Sequence, residues 1–183
     1  MRDLDGQVHV WRSDRSGDAA SQALRRVLAV YLDASPEKIE LETGPHGKPR
    51  LKGEARLRFN LSHSADLLVI AVTLDREVGI DVERIDPGRD APALARRALP
   101  PEDAAAVATA APEERAQVFH AAWARLEAVA KCLGTGLSVP AAEPATRREQ
   151  LSVVALDLGP GFAAALAVEG EAPTVRRFEL EPQ

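Results

Sequence analysis

Two stretches of this chain, one ending near Thr73 and one starting near Val78, run through the same order of elements: an extended strand, a helical stretch, then a pair of strands joined by a tight turn. Residue identity between the two stretches is negligible, so the likeness is one of pattern. At 183 residues the chain has enough apolar material for one core of ordinary size, or for two small half-domains that share one. The expectation is therefore an α+β fold of two related halves, residues 1–74 and 75–183, with the N-terminal half the shorter. A cleft between such halves is a common place for a ligand pocket.

The elements follow from local spacing. Val8, Val10 and Trp11 open a short strand, and Asp18 stands where it can cap a helix carrying Leu24, Val27, Leu28 and Tyr31 on one face. After Ile39 and Leu41 comes the turn-rich run Gly44-Pro45-His46-Gly47-Lys48-Pro49. Strands from Arg58 to Leu61 and from Leu67 to Thr73 follow, with Ser62, His63 and Ser64 assigned to the turn between them. The second half begins with Val78-Gly79-Ile80-Asp81-Val82-Glu83, whose apolar and acidic residues alternate with the period of a strand, and Asp86-Pro87-Gly88 ends it. Two short Ala-rich helices broken near Pro100-Pro101 lead to a longer helix from about Pro112 to Leu133, stopped at Gly134. Leu151 to Leu156, Phe162 to Val168 and Val175 to Leu180 read as antiparallel strands.

Composition narrows the function. A net charge of −5 argues against broad nucleic-acid binding, which needs clustered surplus Lys and Arg. No run approaches the ~20 apolar residues that cross a bilayer, which argues against a spanning role. The single cysteine, Cys132, has no internal partner for a disulfide, and no signal-like segment opens the chain, so a cytoplasmic protein is expected.

Four features carry chemistry. Asp81 and Glu83 occupy alternate strand positions and so face the same way, a pair suited to Mg²⁺ and equally at home on a solvated strand edge. Glu127 and Lys131 lie four apart on the long helix and share a face, as catalytic groups or as a surface ion pair do, with Trp123 one turn before them. Lys48 sits in a turn stiffened by Pro45 and Pro49, placed to meet a phosphate or simply to face water. Ser62 and His63 stand at a strand end, where donors can cradle an anion or close a hairpin. Nucleophilic hydrolysis is disfavoured, because strand neighbours point to opposite faces and no Gly-x-Ser-x-Gly elbow is present.

The ordered set Gly47-Lys48-Pro49, Phe59-Asn60-Leu61-Ser62-His63-Ser64, Val78 to Glu83 and Trp123-Ala124-Arg125-Leu126-Glu127-Ala128-Val129-Ala130-Lys131, with Gly134-Thr135-Gly136-Leu137 behind it, resembles the 4′-phosphopantetheinyl transferase superfamily, its surfactin-type branch in particular. The resemblance implies that family's two-halved fold, with residues 1–74 on the nucleotide side of coenzyme A and residues 75–183 carrying the metal site and catalytic helix. It implies Asp81, Glu83 and Glu127 around Mg²⁺ on the CoA pyrophosphate. It makes Asp81, Glu127 and Lys131 the catalytic set, with Lys131 steadying the phosphates. Lys48, Pro49, Ser62 and His63, with Lys131, then match the positions that bind CoA. In the implied reaction the serine hydroxyl of an apo acyl or peptidyl carrier protein attacks the β-phosphate and 3′,5′-ADP leaves, with Glu127 or a metal-held water taking the proton. A monomer is expected, because two fused halves can build the cleft within one chain; no nucleic-acid or membrane partner is expected, on the charge and apolar-run grounds given above.

Two departures stand out. Leu126 occupies the place where the family's helical motif usually has a lysine, and the usual basic stretch near the N-terminus is reduced to little more than Arg12 and Arg15. They leave open a relative that binds CoA or a carrier protein and transfers slowly, beside a purely structural α+β module.

Overall fold

The computed structural model of the chain describes residues 4–14, 20–44, 46–53, 56–136 and 149–181. Arg15, Asp18, Pro45 and Leu137 lie outside the described residues, and the cap and loop roles expected of them stay with the sequence. Strands β1 (Gln7–Asp14), β4 (Leu57–Ser64), β5 (Leu67–Leu74) and β9 (Thr174–Glu179) form one sheet in the order β4-β5-β1-β9. Strands β6 (Val78–Arg84), β8 (Phe162–Glu169) and β7 (Leu151–Leu156) form a second in the order β6-β8-β7, and the short pair β2 (Leu41–Thr43) and β3 (Pro49–Leu51) makes a third. The helices are α1 (Ala20–Leu32), α2 (Ala91–Ala98), α3 (Pro101–Thr109) and α4 (Arg115–Leu133). The α+β class expected from the sequence is the one formed.

Period-two alternation sorts the side chains into layers. On β5, Leu68, Ile70 and Val72 face α1, where they pack with Leu24, Val27, Leu28, Tyr31, Trp11 and Phe59. The alternate residues Leu67, Val69 and Ala71 join Val8 and Val10 against Val78, Ile80, Val82, Leu166 and Val168 of the second sheet. The two sheets thus pack face to face, and β5 is apolar along nearly all its length because both of its faces are covered. Beyond the second sheet lies α4, which meets it through Ala124, Ala128 and Cys132 on one side and Ala165 and Ala167 on the other. Helices α2 and α3 close over the far side of α4 around Ala95, Val107, Phe119 and Ala122.

Two expectations are corrected. The final strand β9 pairs in parallel with β1, Val8 opposite Val175 and Trp11 opposite Phe178, and is not part of an antiparallel run. Its Phe178 ring stacks on Trp11 with centroids 4.9 Å apart, an aromatic contact made between residues far apart in the chain that accompanies the pairing. A cut at residue 74 accordingly does not separate the sheets. Ser62, His63 and Ser64 also belong to β4 itself; the reversal falls at Ala65-Asp66, with Ala65 in the left-handed region at φ 54°. Among the described residues no helix is long and apolar enough to cross a membrane.

Candidate active site

The site begins with an edge. Strand β6 bonds to β8 on one side, and on the other its outward N–H groups need acceptors that no neighbouring strand supplies. Side chains of β4 supply them. Ile80 N–H donates to Asn60 Oδ1 at 2.9 Å, Val82 N–H to Ser62 Oγ at 3.4 Å, and Arg84 N–H to Ser64 Oγ at 2.9 Å. The spacing of two along β4 puts Asn60, Ser62 and Ser64 on one face, which is why all three reach the same edge.

On β6 the residues alternate between the sheet interface and α4. Gly79, on the α4 side, lets the helix approach until a Cβ at that position would stand 2.1 Å from the Ala128 carbonyl oxygen and 2.3 Å from the Cys132 nitrogen. With Ala124, Ala128 and Cys132 against Gly79, Ala165 and Ala167 at its centre, this seam lets Lys131 of α4 reach Asp81 of β6, and Glu83 and Glu127 lie near enough to feel the Asp81 charge. Helix α4 ends where the sequence predicts, Gly134 adopting φ 69° and donating its N–H to the Ala130 carbonyl.

Asp81 is the centre of this group. Its side chain is 4% exposed, and Lys131 Nζ lies 2.6 Å from Oδ1. Ser62 Oγ donates to the same oxygen at 2.8 Å and accepts from Lys131 Nζ at 3.0 Å. With the Val82 N–H, the Ser62 hydroxyl has one proton and two lone pairs all engaged. The second carboxylate oxygen, Oδ2, is buried and meets no hydrogen-bond donor among the described residues.

The electrostatics are those of crowded acids. Burial raises the Asp81 carboxyl above its ordinary range despite the Lys131 ammonium and the Ser62 hydroxyl, which pull it down. Glu83 is raised by burial first and then by the charge of Asp81, with His120 and the Trp123 indole acting against them. Glu127 is raised by burial, by Asp81 and by Glu83, with Lys131 opposing. The three carboxylates therefore feel one another. Among the described residues, however, no three His, Cys, Asp or Glu side chains form a ready-made metal cage. The Lys131 ammonium already sits on Oδ1, so a cation shared by Asp81, Glu83 and Glu127 would fall to Oδ2. The donor set nonetheless fits Mg²⁺, which is ordinarily held by one or two carboxylates with water and ligand phosphates completing its shell. A buried, unpartnered Oδ2 flanked by two acids of raised proton affinity is a site short of positive charge.

The remaining candidates separate. Lys48 Nζ contacts Glu77 Oε2 at 2.8 Å, the Val78 carbonyl at 3.0 Å and the Cys132 carbonyl at 3.4 Å, tying the β2–β3 turn to β6 and to the end of α4. Arg58 Nε holds the other oxygen of Glu77 at 3.1 Å. Lys48, Pro49, Arg50, Arg56 and Arg58 line a cavity of about 860 Å³ that reaches Gly134. His63 is exposed and, as a strand neighbour of Ser62, points the other way, so it joins neither the cavity nor Asp81. Leu126 packs with Leu94, Val118 and Trp123 against the α2–α3 cluster. The position of the absent lysine therefore faces apolar side chains rather than the carboxylates.

Sequence reasoning missed Arg58, although its spacing of two from Asn60 on a strand signals the shared face. It also missed His120, buried on α4 with Nδ1 2.7 Å from the Ala116 carbonyl and acting on Glu83, for which a lone helical histidine gives no signal.

The family model described as the 4′-phosphopantetheinyl transferase superfamily matches residues 77–170, just over half of the chain, from the start of β6 to the end of β8. The chain is 34% identical over 118 residues to the 4′-phosphopantetheinyl transferase HetI of Nostoc sp., a match covering 63% of this chain and 50% of that protein. It is 28% identical over 138 residues to a 4′-phosphopantetheinyl transferase of Bacillus subtilis, covering 75% and 60% of the two. To the 4′-phosphopantetheinyl transferase AcpT of Salmonella typhimurium it is 34% identical over 110 residues, covering 60% and 56%. The chain thus spans about half the length of the relatives it matches.

Proposed function

Because the chain belongs to the 4′-phosphopantetheinyl transferase superfamily, we propose that it transfers the 4′-phosphopantetheine arm of coenzyme A to a serine of an apo acyl or peptidyl carrier protein, releasing 3′,5′-ADP in a Mg²⁺-dependent reaction. The observation that carries the reading is the contact of Lys131 of α4 with Asp81 of β6, whose Oδ2 stays buried and unpartnered while Glu83 and Glu127 are near enough to feel its charge.

Asp81 Oδ2, Glu83 and Glu127 would hold the magnesium ion, which when bound offsets the charge of the pyrophosphate. The protein's own groups do the rest. Lys131, 29% exposed, has its ammonium at the edge of the site and can pair with a phosphate oxygen as negative charge grows there. Glu127, half-buried and raised in proton affinity first by burial and then by Asp81 and Glu83, is suited to accept the serine proton as the hydroxyl oxygen bonds to phosphorus and the bond to the departing 3′,5′-ADP breaks. The cavity beside Lys48 and Arg58 has the size for the nucleotide end of CoA, and its Lys and Arg side chains, now paired with Glu42, Asp75 and Glu77 of the same lining, would have to turn to phosphate. Lys48 would have to exchange one of its present partners for a phosphate, and Ser62 would serve through Asp81 rather than touch CoA, because its hydroxyl is saturated. Within this reading residues 1–74 are the nucleotide side and residues 75–183 the metal side of a two-halved cytoplasmic monomer.

The test is to incubate the chain with apo carrier proteins of both kinds, CoA and Mg²⁺, and to weigh the carriers intact. Addition of one phosphopantetheine is expected. Asp81→Asn and Glu127→Gln should fold and lose about 10²–10⁴-fold in rate. A second reading, a slow relative that binds CoA or a carrier without efficient transfer, is favoured by Leu126, an apolar residue packed against the α2–α3 cluster where the family's helical motif usually has a lysine. Mg²⁺-dependent CoA binding by calorimetry with no mass added to any carrier would establish that reading and overturn the first.

A further inference from the structure

The most engaged oxygen of the site is Asp81 Oδ1, and what engages it is a positive charge. Lys131 Nζ sits 2.6 Å from Oδ1 and 3.0 Å from Ser62 Oγ, and the Ser62 hydroxyl bonds that same carboxylate oxygen. Ser62 comes from the first sheet, Asp81 from the second and Lys131 from α4, so three separate elements are arranged to seat this ammonium. A divalent cation on Oδ2 would share one carboxylate with it, and two positive centres on a group 4% exposed repel strongly because little water screens them. Lys131 is not locked in place. Its side chain is 29% exposed, whereas the α4 backbone behind it is pinned against Gly79, so release needs only side-chain rotation.

From this juxtaposition, and resting on the proposed role of Asp81, Glu83 and Glu127 as a cation site, we infer that Lys131 is a resident counter-ion: its ammonium and a divalent cation compete for Asp81. The cation fills the site fully only when an anion draws the lysine away. Lysine release is then the link between the two ligands. A phosphate that takes the ammonium clears Asp81 for the cation, and a cation on Asp81 hands the ammonium to the phosphate. Each raises the affinity of the other by the same factor, as coupled binding requires. Lys131 is thereby a positioning residue for cation loading, in addition to any contact it makes with the phosphates.

The experiment measures Mg²⁺ binding by calorimetry with no nucleotide present. The proteins are the unaltered chain, Lys131→Met, Lys131→Gln and, as a control of equal charge change on the same helix, Arg125→Gln, whose partner is Asp103. Both Lys131 variants should bind Mg²⁺ about tenfold more tightly than the parent, while the control stays within about twofold. In the unaltered protein, acetylation read residue by residue by mass spectrometry should label Lys131 faster as Mg²⁺ is added, with Lys52 unchanged. Mg²⁺ binding of equal strength in all variants, or labelling of Lys131 that does not respond to bound Mg²⁺, would overturn the competition and leave the cation site standing. Absence of Mg²⁺ binding in every protein would remove the cation site and the competition together.

Discussion

Each of the two larger sheets carries a helix on its outer face, and the two helices are seated in opposite ways. Helix α1 meets its sheet through large side chains, Leu24, Val27, Leu28 and Tyr31 interleaving with Trp11, Phe59, Leu68 and Ile70. The Tyr31 hydroxyl adds a polar tie, accepting from Trp11 Nε1–H at 2.8 Å and lying 2.9 Å from His9 Nδ1. Helix α4 meets its sheet through Ala124, Ala128 and Cys132 against Gly79, Ala165 and Ala167. The first arrangement buries much apolar area, which is where stability comes from. The second gives up area for proximity, and its proximity is what lets side chains of helix and strand meet over Asp81. One seam holds the fold together, and the other brings Lys131 onto Asp81.

Substitutions at the seams separate these roles, and the largest effect is expected at Gly79. Gly79→Ala puts a methyl group 2.1 Å from a helix carbonyl, where backbone must move, and should lower unfolding free energy by about 4 kcal/mol in urea titration while also abolishing transfer. A variant that keeps both would show that α4 can stand further off without harm, and the contrast between the seams would fail. Leu28→Ala, in a side chain fully buried under α1, should lower stability by about 3 kcal/mol yet leave the rate per folded molecule unchanged. A specific loss of rate there would mean that the α1 seam also shapes the site.

The smallest effect sharpens the electrostatic side. Glu83 and Glu127 hold their protons more tightly folded than unfolded, so the folded state carries more protons between the ordinary carboxylate range and the raised one. Each acid accordingly takes stability away as pH rises through that window, fully so above it. Glu83→Gln and Glu127→Gln should therefore melt higher than the parent at neutral pH, with the advantage fading below the ordinary carboxylate range. Leu28→Ala should melt lower by an amount that pH does not change, because the group lost is an uncharged side chain packed among apolar ones. Parallel pH profiles for all variants would show that crowding the acids carries no penalty.

How much of this is legible in the sequence depends on the range of the interaction. Helix α4 and its stop at Gly134 follow from local spacing and a residue that tolerates positive φ, and β6 follows from strict alternation of Val78, Ile80 and Val82 with Gly79, Asp81 and Glu83. The pairing of Asp81 with Lys131 is readable only as two shared faces, since nothing local says that the strand and the helix touch. Ser62 reads as a turn donor because its partner edge on β6 is remote; only the assembled sheets show Asn60, Ser62 and Ser64 standing in for a missing strand. Leu126 reads as a lost cation, whereas its packing depends on α2 and α3 folding over that side of α4. The direction of β9 is equally remote, being set against a strand at the other end of the chain.

That parallel pairing bears on how the molecule is made. Synthesis on the ribosome delivers β1 first, while its neighbour comes from residues 174–179, so one border of the first sheet stays open while nearly all the intervening chain is translated. Trp11 and His9 must wait at that border for Phe178. The interval is one in which a nascent chain is exposed to strand pairing with another molecule, and a holding chaperone would act there.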